Sequence, residues 1–236
     1  MIPKAAFLGG GKTPTAGEIT LAHYGILFLD EFMEFKTECI EALRQPLEDG
    51  TIDITRNGIY HKFPADFQLI ATMNPCPCGY YGSNEKECKC SKQSIEKYLN
   101  KISGPLLDRI DLHVESKAIK YSKLNSKNKE ETSAQIKERV NRARRIQYLR
   151  FKQESISLNS ELTPKMIEKY CVLNQECKQI LELAFNKLKL SARAYSKILK
   201  VSRTIADLDE AESIEKKHLL EAIQYRNLDR KYGDKF

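Results

Sequence analysis

Gly25-Ile26-Leu27-Phe28-Leu29-Asp30-Glu31 is the stretch whose reading decides the fold. Four consecutive apolar residues run into two adjacent carboxylates, the pattern of a fully buried strand that delivers acids to the rim of a parallel sheet. At such a rim an aspartate can hold Mg²⁺ through phosphate-bound water, and a glutamate beside it can polarise an attacking water. Any buried strand can end in acids at its solvent edge, so this reading needs companions elsewhere in the chain.

Downstream, Phe67 to Asn74 reads as a second buried strand, ending in an uncharged polar residue and stopped by Pro75. Asn74 can hydrogen-bond a γ-phosphate or the attacking water without adding negative charge beside Asp30 and Glu31. Between the two strands, Thr37 to Glu48 is helical in pattern, with Ile40, Leu43 and Leu47 on one face and Gly50 as its stop. Thr51 to Arg56 alternates, Asn57-Gly58 marks a type I′ turn, and Ile59 to Phe63 returns, which predicts a β-hairpin.

Upstream, Gly11-Lys12-Thr13 closes a G-x-x-x-x-G-K-[ST] spacing but does not make a phosphate cradle. The first glycine position is Ala6, the residues before it include Pro3 and barely make a strand, and Pro14 and Gly17 spoil the helix that should receive the phosphates. Lys12 also lies only 18 residues before Asp30, too few for the intervening helix and strand. Gly9 to Gly17 therefore reads as a glycine-rich loop.

Cys76-Pro77-Cys78 and Cys88-Lys89-Cys90 are two C-x-C pairs flanking a loop with Gly79, Gly82, Ser83 and Asn84. Four thiolates there can close a tetrahedral Zn²⁺ site. The C-x-C spacing is tighter than that of zinc ribbons, and reduced cysteines without a ligand are the competing reading. Cys39, Cys171 and Cys177 fall in helical patterns as small buried hydrophobes.

Ser94 to Ile102 is a helix stopped by Ser103-Gly104-Pro105, and Leu106 to Val114 reads as a short helical turn feeding a third strand. Arg109 at that junction can project from the domain edge toward a neighbouring subunit's nucleotide. Ser116 to Lys129 is a polar linker. The rest is helical: a long basic helix over Glu131 to Lys152, a helix opened by Thr163-Pro164, and three more over about 177–188, 191–208 and 217–226. The arginines of the long helix spread around it, which argues against a single DNA-binding stripe. Ser191 caps the helix that carries Arg193 in its first turn, where a cation opposes the helix dipole. Facing a phosphate, that placement makes sense.

The totals agree with two bodies. Of 236 residues with a net charge of +7, the part up to Glu115 holds 12 basic and 16 acidic residues, and the part from Ser116 holds 27 and 16. A basic second half is compatible with polyanions, although solvated helix faces explain the same count. No apolar run is long enough to span a bilayer and no signal-peptide pattern opens the chain, so no membrane partner is expected. Seven cysteines, an odd number with four clustered, fit a reduced, cytoplasmic setting.

These strings together resemble the magnesium chelatase-like AAA+ ATPases, the YifB/ComM group. The resemblance is carried by Gly17 to His23 ahead of the acidic strand, by Asn74-Pro75-Cys76-Pro77-Cys78-Gly79, and by Ser103 to His113. Leu190-Ser191-Ala192-Arg193, Thr204 to Leu208 and Glu221 to Arg226 complete it in the same order. It implies a partial AAA+ P-loop α/β core over 1–115, with a parallel sheet, flanking helices and inserted hairpins, then a linker over 116–130 and an all-helical lid domain over 131–236. It implies that Asp30 and Glu31 are the Walker B pair, with Asp30 on magnesium, that Asn74 is sensor 1, Arg109 the arginine finger and Arg193 sensor 2. ATP and Mg²⁺ are the implied cofactors, and a hexameric ring of the same chain and DNA the implied partners. The competence-associated branch is described as a branch-migration helicase acting in natural transformation. Complete members carry a Lon-like domain and a Walker A loop ahead of the point where this sequence starts. The expectation is therefore a C-terminal motor portion that does not hydrolyse ATP alone. Two alternatives stand beside it: a chelatase-type subunit for porphyrin metallation, and a non-enzymatic module that binds nucleic acid or a partner ring.

Overall fold

Alternating side chains on the acidic strand set the layering of the first half. In the computed structural model, which describes residues 2–11, 13–56, 58–83, 86–116 and 131–226, the chain divides into two compact units, Met1–Ile110 and Asp111–Phe236. The turn residue Asn57, Lys12, Asn84 and the expected linker beyond Ser116 lie outside the described residues.

In the first unit, helix α1 (Lys4–Leu8) leads into a two-residue antiparallel pair, β1 (Gly9–Gly10) with β2 (Thr15–Ala16), and then into α2 (Glu18–Leu21). The segment before Gly9 is thus helical, not a strand. Glycine is required at Gly17, because a Cβ there would lie 2.2 Å from the Gly9 nitrogen. Strand β3 (Ile26–Leu29) and the later β6 (Gln68–Ala71) pair in parallel, from Ile26↔Gln68 to Leu29↔Ala71. Between them come α3 (Thr37–Ala42), α4 (Arg44–Asp49) and the antiparallel hairpin β4 (Thr51–Arg56) and β5 (Ile59–Pro64).

Three local expectations are corrected here. First, β3 is not buried on both faces: Leu27 and Leu29 are 8% and 5% exposed, but Ile26 and Phe28 are 59% and 58% exposed. Paired residues of a parallel ladder share a face, and Ile70 opposite Phe28 is also exposed, so one side of the pair has no covering layer among the described residues. Second, the helix expected over Thr37 to Glu48 is two short helices that meet at Leu43. Pro46 has no N–H to give to a continuous ladder and sits in the first turn of the second helix, where none is needed. Gly50 ends that helix at φ 64°, the left-handed stop that its position suggested.

Third, no strand follows Leu106. Helix α5 (Lys92–Leu99) and α6 (Gly104–Leu107) are capped by the Ser91 and Ser103 hydroxyls, and residues 110–116 then form no strand among the described residues. The alternation there buries His113 and exposes Leu112 and Val114, and the His113 amide donates to the Tyr225 carbonyl at 2.8 Å.

The second unit is helical: α7 (Ser133–Arg150), α8 (Pro164–Tyr170), α9 (Gln175–Leu188), α10 (Ala192–Leu208) and α11 (Lys216–Gln224). Its starts follow the capping residues, with Thr132 and Gln135 forming a reciprocal box and Thr163, Asn174 and Ser191 each accepting from a first-turn amide. Apolar residues of every helix after Phe151 close one core, including Cys171, Cys177, Ile198, Leu199 and Leu219.

A charge sits inside this unit. Asp207 is fully buried and takes both Arg150 and Arg203, with Arg150 Nη1 at 2.8 Å and Arg203 Nε at 3.1 Å. Asn159 Nδ2 donates to the same carboxylate at 2.8 Å, and its own amide donates to Gln147 at 3.0 Å. Arg203 also caps the carbonyls of Ala211 and Glu212. The node ties α7, the turn at Asn159 and α10 into one body. Removing the carboxylate with Asp207→Ala leaves two guanidinium groups without their counter-ion, and urea unfolding should show a loss of about 3–5 kcal/mol.

Candidate functional site: the acidic strand edge and the cysteine cluster

Because β3 and β6 run in parallel, both release the chain at the same edge. Asp30 and Glu31 follow Leu29, and Thr72, Met73 and Asn74 follow Ala71. The ladder continues one step past the strands, with the Thr72 amide donating to the Leu29 carbonyl at 3.0 Å and the Phe32 amide to the Thr72 carbonyl at 2.8 Å.

The Thr72 side chain then clasps the acids. Its hydroxyl donates to Asp30 Oδ1 at 2.5 Å and accepts the Glu31 amide at 3.0 Å, and that amide also reaches Asp30 Oδ1 at 3.1 Å. Glu31 adopts φ 49°, ψ 50°, a left-handed conformation that is costly outside glycine and concentrates at functional turns. The clasp fixes the rotation of the Asp30 carboxylate and points the chain so that Asp30 and Glu31 both stay exposed.

Asn74 is exposed at the same edge and is steadied from below. Tyr98 of α5 is buried under it: burial pushes the phenol up to about 12, the Glu34, Cys76 and Glu31 charges add to that, and a hydrogen bond with the Asn74 backbone opposes it. Tyr98 thereby bonds the Asn74 backbone and lies within the electrostatic reach of the acidic turn and Cys76. Neither Thr72 nor Tyr98 stands out in the sequence, since Thr72 sits inside a strand pattern and Tyr98 on the apolar face of a helix.

Arg109 lies in the turn after α6 and does not reach outward. Its side chain is 10% exposed, forms an ion pair with Glu48 and donates to the Pro105 carbonyl at 2.7 Å. Arg193 occupies the first turn of α10 in the second unit and is exposed. The structure therefore brings Asp30, Glu31 and Asn74 to one edge, holds Arg109 against its own unit, and carries Arg193 on a separate body.

The four cysteines of the C-x-C pairs converge. The sulfurs of Cys76, Cys78, Cys88 and Cys90 all lie within 4.8 Å of one another, with Cys76 buried and Cys78 exposed. The Tyr80 backbone amide lowers the Cys78 thiol to about 6, helped by the thiols of Cys76, Cys90 and Cys88. By contrast Cys39, Cys171 and Cys177 are separate buried side chains, and burial pushes each of these thiols up.

Comparison with known proteins agrees with these features. Residues 1–124 match the family described as magnesium chelatase, subunit ChlI, and residues 130–226 match the ChlI C-terminal family. The chain belongs to this magnesium chelatase family, as a partial AAA+ α/β core followed by a helical domain. It is 48% identical over 222 residues to the competence protein ComM of Haemophilus influenzae, covering 94% of this chain and 42% of that protein. It is 45% identical to YifB of Salmonella typhimurium and 42% identical to YifB of Escherichia coli, covering 95% of this chain and 44% of each relative. Both YifB proteins are described as uncharacterized. The chain thus spans less than half the length of these relatives.

The clasp is open to a direct test. Thr72→Val keeps the shape and removes the hydroxyl, and a double-mutant cycle with Asp30→Ala should give a coupling of about 1–2 kcal/mol in denaturant unfolding. Thr72→Ser should retain the coupling, and a coupling near zero would mean that the hydroxyl does not hold the acid.

Proposed function

We propose that this chain is the motor portion of a magnesium chelatase-like AAA+ ATPase whose intact form couples ATP hydrolysis to DNA remodelling. The observation that carries this reading is the parallel β3–β6 edge, which brings Asp30, Glu31 and Asn74 together, with the Asp30 carboxylate and the Glu31 main-chain amide both bonded to Thr72. The donor set suits a hard cation and a polyphosphate: an oriented, exposed carboxylate for Mg²⁺, a second carboxylate for a water, and an amide for a phosphate oxygen. When bound, Mg²⁺ and ATP supply the transferable phosphoryl group and neutralise its charge.

In this reading Asp30 would hold the magnesium, Glu31 would orient and polarise a water, and Asn74 would hydrogen-bond that water or a phosphate oxygen. Arg109 acts on a neighbouring subunit's nucleotide only after leaving Glu48 and the Pro105 carbonyl. Arg193 serves as sensor 2 from the first turn of α10. These roles require a ring, taken as a hexamer of the intact protein. Among the described residues, the segment from Lys4 to Ala16 forms a helix and a short hairpin, not a strand and loop able to cradle phosphates. Phosphate ligands must therefore come from elsewhere in the intact protein.

Competence rests on the ComM relative's name and 48% identity, and DNA as the substrate rests on the resemblance to the branch-migration group. The basic second half supports contact with a polyanion. The long helix α7 is a poor candidate for that contact, since Arg139 and Arg142 pair with Glu131, Glu138 and Glu210, and Arg150 with Asp207. A second reading, a chelatase subunit driving metal insertion into a porphyrin, is favoured by the description of the matched family.

Two measurements separate these readings. The purified 236-residue chain should show no steady Mg²⁺-dependent ATP turnover; turnover abolished by Glu31→Gln would overturn that. In the full-length protein, Glu31→Gln should lower turnover by roughly 10²–10⁴-fold while ATP still binds. Forked or four-way DNA should bind with a strong salt dependence and be remodelled only with ATP. Remodelling of no DNA structure, with ATP-dependent porphyrin metallation instead, would favour the chelatase reading, and ATP-independent DNA binding without turnover would favour a plain binding module.

A further inference from the structure

We propose that Cys76, Cys78, Cys88 and Cys90 form a structural zinc site that folds the loop over 76–90 and fastens the exit of β6. A tetrahedral ion with Zn–S bonds of about 2.3 Å needs its sulfurs about 3.8 Å apart. Cys76 lies 3.4 Å from Cys78 and 3.7 Å from Cys88, and Cys78 lies 3.6 Å from Cys88. With all four sulfurs inside 4.8 Å, the cage fits one ion. A cluster of two or four irons spreads its outer thiolates further than that.

The backbone points the same way. The Tyr81 amide donates to Cys76 Sγ at 3.3 Å, a backbone contact that fixes where this sulfur points. The C-P-C-G turn closes through the Gly79 amide on the Cys76 carbonyl at 3.0 Å, and Gly79 and Gly82 take φ near 80°, so that a short loop can carry two ligands back to back.

The loop also needs a staple. Of its described residues, Cys76 alone is buried; Tyr80 and Tyr81 are exposed, and the backbone bonds within the loop are local turns. A segment with so little apolar burial does not offset its own ordering entropy, and a metal bound by four thiolates supplies what the core does not. Cys76 lies two residues after Asn74, so the ion also fixes the backbone that presents Asn74.

The test is metal analysis of the intact chain purified without chelators, and it is independent of any ATPase activity. About one zinc per chain is expected, falling below about a tenth of an equivalent in Cys78→Ser and in Cys88→Ser. Reconstitution with cobalt should give the intense visible absorption of a tetrahedral thiolate site. Circular dichroism of the helical unit serves as the folding control, and the 76–90 loop of each variant should become the preferred site of proteolysis. Wild-type protein with less than about a tenth of an equivalent of zinc, iron in its place, or unchanged zinc in folded Cys88→Ser overturns the proposal.

Discussion

The parallel pairing of β3 with β6 is the constraint on which the first unit depends. A hairpin would have sent the two strands out at opposite ends and separated the acids from Asn74. Parallel pairing requires a long crossover, and the 38 residues from Asp30 to Phe67 provide it through two short helices and a hairpin. With register set at Leu29↔Ala71, the first residues beyond both strands face each other, and the Thr72 hydroxyl can reach Asp30 and the Glu31 amide. One hydroxyl thus converts two strand ends into a single oriented edge. The left-handed turn at Glu31 is tolerated because its amide has two acceptors and its neighbour Phe32 is locked to the Thr72 carbonyl.

The two units solve their stability problem differently. The helical unit buries an ionic node, in which the Asp207 carboxylate is matched by two arginines and an asparagine and leaves no partner orphaned. That node contributes definition of the helix arrangement more than net stability. The first unit has only two-stranded sheets among the described residues, a face at Ile26, Phe28 and Ile70 that no described residue covers, and a loop with little apolar burial. There, cross-links by polar side chains carry more of the order: Thr72 on Asp30, Lys101 Nζ on the Met33 carbonyl at 2.5 Å, and the four converging sulfurs.

Features set by neighbouring residues in the chain were legible in the sequence. The acidic strand, the hairpin, the Gly50 stop, the Thr163-Pro164 and Ser191 helix starts and the convergence of two C-x-C pairs all follow from local chemistry: a φ that only glycine takes easily, a hydroxyl that meets an amide three residues on, a proline that needs no donor. Features set by distant partners were not. A run of Ile-Leu-Phe-Leu reads the same whether one face or two is covered, since the covering layer is not part of the run. The apparent strand at Ile110 to Val114 has the right alternation but no ladder to join, and its amide goes to Tyr225 instead. Thr72 and Tyr98 acquire their roles only when β6 lies beside β3 and α5 lies beneath Asn74.

Arg109 shows why residue type and motif context do not settle a side chain's state. The motif places a cation next to a unit edge, and the structure finds that cation neutralised by Glu48 and bonded to Pro105. The Arg109 side chain is 10% exposed, so the pair is shielded from solvent better than a surface ion pair, and leaving the guanidinium without a partner costs more than the ~1 kcal/mol typical of exposed pairs. A polyphosphate offers a guanidinium a denser charge than one carboxylate does. A role for this arginine on a neighbour's nucleotide would therefore require giving up Glu48 and the Pro105 carbonyl in exchange for that denser charge. If that exchange is the reason for the pair, weakening it with Glu48→Gln in the full-length ring should leave maximal turnover intact while lowering the protein concentration at which turnover sets in. A turnover profile indifferent to Glu48 would assign the ion pair to holding the turn after α6 alone.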